Sequence, residues 1–245
     1  MNSNFHQSEA LWSGKTISIE PLQAKRGYDE PGCRSRNPFP ACIDSSAMAN
    51  VALGFRVKSG WAAAAVVSGP ASSPTLLRTR HLDLCDPTVP ESRQPFHAVD
   101  EAQGELELDG DRIKKRLEVV RRVTAQSIGK LLSECLANAW APHCAGIVTG
   151  SLIDPSTIRS PHIRAHAMEG RLFRTVLEDE LRAHHLACVV LPEKTAFKAA
   201  IDAIPSGEDA LKRTLANLGR HAEGPWRAEE KLAVLAAWVA ISAKS

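Results

Sequence analysis

VALGFRV (51–57), KSG (58–60) and WAAAAVVSG (61–69) run consecutively and set the first two elements of the chain. Two runs of β-compatible residues separated by a short turn with a glycine at 60 predict a hairpin. The strands are expected over Asn50–Val57 and Gly60–Gly69. PASSP (70–74) makes the next turn, and TLLRTRHLDLC (75–85) is expected to be a third strand. There Leu77, Thr79, His81 and Asp83 alternate with Leu76, Arg78, Arg80, Leu82 and Leu84, which suits an edge strand with one wet face.

Beyond the hairpin, strands and helices alternate. A loop from Asp86 to Asp109 carries Pro87, Pro90 and Pro95, which disfavour regular structure. Asp109 or Asp111 can cap a helix running to about Trp140, ended by Pro142. Its stripe of Ile113, Leu117, Val120, Ile128, Leu131, Leu132 and Cys135 keeps helical spacing. HCAGIVTGSLI (143–153) reads as a central strand buried on both faces. Ser160 and Pro161 then open a helix reaching His184 or His185. ACVVLPE (187–193) is the fifth strand, and helices are expected over 194–203, 207–218 and 226–243. Trp226, after Gly224 and Pro225, is placed to anchor the last helix.

The chain of 245 residues, 44% hydrophobic and 24% charged, is long enough for one domain of about 200 residues plus a tail. Residues 1–46 are rich in Ser, Asn, Pro and Gly and are expected to be a disordered extension, with the folded domain over 47–245. Only TISIEPL (16–22) there has the apolar content to dock as an edge strand. A net charge of +2 is too small to indicate a nucleic-acid partner by itself. The six cysteines form no C-x-x-C pair, so reduced thiols are expected. The opening MNSNFHQSEALWSGKT (1–16) does not read as a signal peptide, and no apolar run reaches membrane-spanning length. The expectation is a cytoplasmic protein without a membrane partner.

The element order β-β-β-α-β-α-β-α resembles the ribonuclease H-like fold, a five-stranded mixed sheet with helices on both faces. The resemblance covers about residues 48–243 and is carried by two local patterns besides the order. VALGFR (51–56) followed by a glycine turn and WAAA (61–64) resembles the first hairpin of resolvase-type members. EEKLAVLAAW (229–238) is similar to their Ala-rich last helix, which carries an acidic residue just before the alanines. The resemblance implies a nuclease site in which three or four carboxylates hold two Mg²⁺ or Mn²⁺ ions that activate water. Position by position, the first-strand aspartate falls on Arg56, and the fourth strand has no carboxylate until Asp154. Glu229 and Glu230 match. An arginine cannot ligate a cation. The first expectation is therefore a degenerate metal-nuclease site in a binding protein that needs no cofactor. The alternatives are a divergent metal-dependent nuclease using Glu169, Glu229 or Glu230, and a nucleotide- or small-molecule-binding enzyme at the same cleft.

Three constellations are candidates for function. A buried Arg56 requires an acidic partner or an anionic ligand, and Glu229 or Glu230 is expected to approach it; the alternatives are a fork presented to phosphate or carboxylate, or a side chain projecting past the sheet. His162, His166 and Glu169 fall at i, i+4 and i+7 on one helical face, where two imidazoles and a carboxylate can hold a metal with Asp154 nearby. The same spacing also suits a polar cleft-lining face or a plain solvated helix. Arg112, Lys114, Lys115, Arg116, Arg121 and Arg122 form the densest basic cluster and can meet nucleic-acid phosphates, or serve as a solvated face mixed with Asp109, Asp111 and Glu118.

Overall fold

In a computed structural model, the residues described are 48–98, 105–204, 207–220 and 222–243. They lie within a compact unit spanning Ser45–Ser245. The expected tail over 1–46, TISIEPL included, falls outside the described residues.

Three antiparallel strands come first: β1 (Ala49–Lys58), β2 (Trp61–Ser68) and β3 (Thr75–Asp83). Next come α1 (Gly110–Ala137), β4 (Trp140–Thr149), α2 (Pro161–Ala183) and β5 (Ala187–Pro192). Helices α3 (Glu193–Ala203), α4 (Gly207–Arg220) and α5 (Ala228–Ser242) finish the domain. The sheet order is β3-β2-β1-β4-β5, with β4 parallel to both β1 and β5. This is the ribonuclease H-like topology expected from the element order.

Helix α1 ends earlier than the position of Pro142 suggested. Asn138 caps it and Ala139 takes a positive φ of 56°, which turns the chain directly into β4. Pro142 is a strand residue opposite Val51, where the β1–β4 register shifts. A proline lacks the N–H that regular pairing needs, so a bulge is where a strand tolerates one. At the other end Asp109 is the N-cap, accepting from the backbone N–H groups of Asp111 and Arg112. The loop before it holds a 3-10 turn at Pro90–Arg93 and a bridge between His97 and Leu106.

Period-2 alternation in β1 divides the core into two layers. Val51, Leu53, Phe55 and Val57 pack with Leu117 and Val120 of α1 and Leu172 and Phe173 of α2. Ala52 faces the other way, toward Ala233, Val234 and Ala237 of α5. Helix α5 is buried continuously from Ala233 to Ile241, as befits a helix apolar all round. It lies unusually close to the sheet. Gly54 and Gly146 are register partners in β1 and β4. A Cβ on Gly54 would stand 1.9 Å from the Ala233 carbonyl oxygen, and one on Gly146 2.0 Å from that of Ala236. Both obstacles are backbone, so only glycine fits at either position. Trp226 packs on Gly219 of α4, occupying the space of any side chain there. Trp238 of α5 donates its indole N–H to the Ala71 carbonyl at 2.8 Å.

Candidate functional site

The carboxyl ends of β1 and β4 lie together, since the two strands are parallel and Arg56 is paired with Val148. Arg56 belongs to the α5-facing set of β1 and is 2% exposed. Its Nη2 donates to Glu193 Oε2 and its Nη1 to the Val57 carbonyl. Glu193 is the first residue of α3, directly after β5, so the parallel β4–β5 pairing carries it to the same end of the sheet. Burial lowers the Arg56 pKa, and Glu193 first and Glu229 second pull it back up. Glu193 thus makes the hydrogen-bonded pair in place of the expected Glu229 or Glu230, while Glu229 acts on Arg56 by charge alone. Glu229 lies 3.7 Å from Lys58 Nζ, and Glu230 turns back to accept from the Arg227 N–H at 2.8 Å at the start of α5. The resemblance pointed to the last helix, whose acidic pair matches its pattern; Glu193 stood unremarked at the end of a short strand.

The resemblance implies a two-cation nuclease centre at this end of the sheet, and the residues here do not fit one. Arg56 and Lys58 place two cationic groups beside Glu193 and Glu229, while β4 ends in Val148 and Thr149. Among the described residues, the group of three or more His, Cys, Asp or Glu side chains spaced to hold an ion is a different one.

That group is His97, His162 and His166, each offering a nitrogen, all within 4.8 Å of one another. Ser160 caps α2 and Pro161 starts it, which places His162 and His166 on successive turns of one face. Their Nε2 atoms are 3.2 Å apart. The His97 ring comes from the loop before α1, with its centroid 4.4 Å from that of His166 and 5.3 Å from that of His162. Beneath them Glu169 is fully buried. His97 Nδ1 lies 2.6 Å from Glu169 Oε1, and His166 Nδ1 3.5 Å from Oε2. Burial pushes the Glu169 carboxyl up to about 7, against the opposing pull of His166, the Phe96 backbone and His162. Burial, and next His162, lower the pKa of His97.

His162, His166 and Glu169 therefore converge as their spacing suggested, with His97 an unforeseen member. Asp154 does not join them. It caps the turn at Pro155–Thr157 through the Ser156 N–H and lies 3.8 Å from Arg171. Glu169, offered by the sequence for a two-metal site, lies among histidines, with His97 Nδ1 beside Oε1 and His166 Nδ1 on the side of Oε2.

The basic cluster also separates. Arg116 is buried and is a clamp: it donates to the carbonyls of Pro95 and His97 and to Glu107 Oε2 at 3.0, 3.1 and 3.1 Å. It is therefore removed from any nucleic-acid interface. Arg122 reaches Asp86 at 3.0 Å, and Arg112 lies 3.4 Å from Asp109. Lys114, Lys115 and Arg121 are exposed along α1. Among the described residues, Cys85, Cys135, Cys144 and Cys188 form no disulfide. No helix among the described residues is long and apolar enough to cross a membrane.

No protein-family model and no curated protein matches the chain. Solved structures give low-identity likenesses. Thermus thermophilus RuvC in complex with a Holliday junction substrate aligns over 77% of this chain and 91% of that one, at 10% identity and a TM-score of 0.46. The yeast mitochondrial Holliday junction resolvase Ydc2 aligns over 80% and 82%, at 11% identity and 0.40. An Aquifex aeolicus Ppx/GppA family protein gives 0.28 at 14% identity, over 63% and 38%. At such values the strand order and pairing identify the fold, and the superpositions add nothing to them.

Proposed function

We propose that this chain is a ribonuclease H-like domain that binds nucleic acid without metal-dependent hydrolysis. The observation that carries the reading is buried Arg56, closed by Glu193 where the resemblance calls for a metal-bridging aspartate. A two-cation mechanism needs converging anionic ligands. Here the carboxylates nearest that position each stand beside a cation of the chain itself.

Nucleic acid is favoured as the ligand by the exposed Lys114, Lys115 and Arg121 on α1, flanked by the half-exposed Arg112 and Arg122. Cations spread along a helix meet a phosphate backbone by charge, and the binding they support weakens steeply with salt. Fluorescence anisotropy with a labelled four-way DNA junction, a duplex and a single strand in EDTA tests this. Binding that persists without a divalent cation and weakens log-linearly with salt is expected. No binding at low salt, or cleavage in Mg²⁺ that Glu193→Gln or Glu229→Gln abolishes, would overturn the reading.

A further inference from the structure

The geometry points to a zinc site formed by His97, His162 and His166, with Glu169 as the carboxylate that orients two of its ligands. It shares no residue with the Arg56–Glu193 pair and stands independently of the nucleic-acid reading.

Ligand chemistry comes first. Imidazole nitrogen is a preferred donor for Zn²⁺, whereas Mg²⁺ favours oxygen. Two nitrogens bound to tetrahedral zinc at about 2.0–2.1 Å stand about 3.3 Å apart. His162 Nε2 and His166 Nε2 are 3.2 Å apart already. With all three donor nitrogens within 4.8 Å, closure on an ion asks only for small rotations of side chains, two of them exposed.

The arrangement of Glu169 supports the same conclusion. Metal-bound histidines commonly donate their second ring N–H to a carboxylate, which fixes the tautomer and makes the ligating nitrogen more basic. Glu169 faces the Nδ1 atoms of both His97 and His166, leaving Nε2 of each as the donor. His97 is 7% exposed, and its Nε2 is buried without a hydrogen-bond partner. A buried nitrogen left without a partner is destabilising, and a bond to a metal would remove that cost. Three protein nitrogens leave a fourth position for water.

The clamp formed by Arg116 acquires a purpose in this light. Its hydrogen bonds to the carbonyls of Pro95 and His97 hold the loop that delivers the third ligand.

The test uses the full chain stripped of metal with a chelator and titrated with Co²⁺, then with Zn²⁺ in competition, followed by visible absorption and calorimetry. One equivalent of Co²⁺ giving the intense bands of a four-coordinate ion, displaced by Zn²⁺, is expected. His162→Ala and His166→Ala alter exposed side chains, and their folding is verified by circular dichroism. Each is expected to weaken Zn²⁺ at least tenfold, and the double variant to lose the four-coordinate spectrum. Glu169→Gln is expected to weaken Zn²⁺ about tenfold to a hundredfold. Failure to take up an equivalent of either ion, or equal affinity in the wild type and the folded double variant, overturns the proposal.

Discussion

Arg56 of β1 and Glu193 of α3 are joined across 137 residues of chain by a hydrogen-bonded ion pair, with the arginine side chain 3% exposed and the glutamate side chain 42% exposed. The asymmetry sets the expected energetics. Removing one partner of a buried pair costs about 3–5 kcal/mol because the other charge is stranded, and solvent around Glu193 places this pair at or below the lower end. Glu193→Ala, which strands the deeply buried guanidinium, is expected to cost about 2–3 kcal/mol. Arg56→Met keeps the stem's volume, removes the charge and is expected to cost less. A denaturant double-mutant cycle should show coupling of these two positions and little between Arg56 and Glu230. Additive effects for Arg56 and Glu193 would contradict the pairing.

The contact between α5 and the sheet predicts an equally specific pattern. Gly54→Ala and Gly146→Ala each drive a methyl into α5 backbone and are expected to cost about 3 kcal/mol or more. Gly129→Ala, in the middle of α1 with open space at its Cβ position, should instead stabilise by about 1 kcal/mol through helix propensity. Urea midpoints compare all three. Tolerance of alanine at 54 or 146 would mean that α5 stands further from the sheet.

Arg116 and Lys115 are neighbours in sequence with opposite roles. Arg116→Lys loses the planar fork that serves two carbonyls and Glu107, so it should raise hydrogen exchange over 94–98 despite keeping the charge. Lys115→Ala should leave exchange and stability unchanged while lowering the salt slope of DNA binding by about one. Identical behaviour of the two variants would contradict this division.

Much of the fold was legible because its signals are local. Alternation in 51–85, the Asp109 and Ser160 caps and the α1 stripe each lie within a few residues of the element they define. What escaped was long-range. Glu193 reaches Arg56 only after β4 and β5 have paired, so no spacing announced it. His97 lies 65 residues before His162, in a proline-rich loop without periodicity. One signal did exist. Glu169 shares the buried face of α2 with Ala165, Leu172, Phe173 and Val176, and a carboxylate in an apolar stripe demands a partner from elsewhere. A search of the long loop for that partner finds a histidine beside Phe96. The end of α1 was misplaced because Pro142 looked like a helix stop, whereas a bulge lets β4 hold it.

Whether the Arg56 end of the sheet holds a two-cation nuclease centre is tested most directly by titrating metal-free protein with Mg²⁺ while following thermal unfolding. Magnesium favours oxygen ligands, so the histidine cluster does not confuse the result. A cation reaching Glu193 must break the Arg56–Glu193 pair or face the guanidinium, and repulsion between a unit charge and a divalent cation ~4 Å apart is about 8 kcal/mol at an effective dielectric near 20. Millimolar Mg²⁺ is therefore predicted to leave the midpoint unchanged. A site filled at 100 times its dissociation constant would add about 2.7 kcal/mol; stabilisation of that size, lost in Glu193→Gln or Glu229→Gln, would contradict the account.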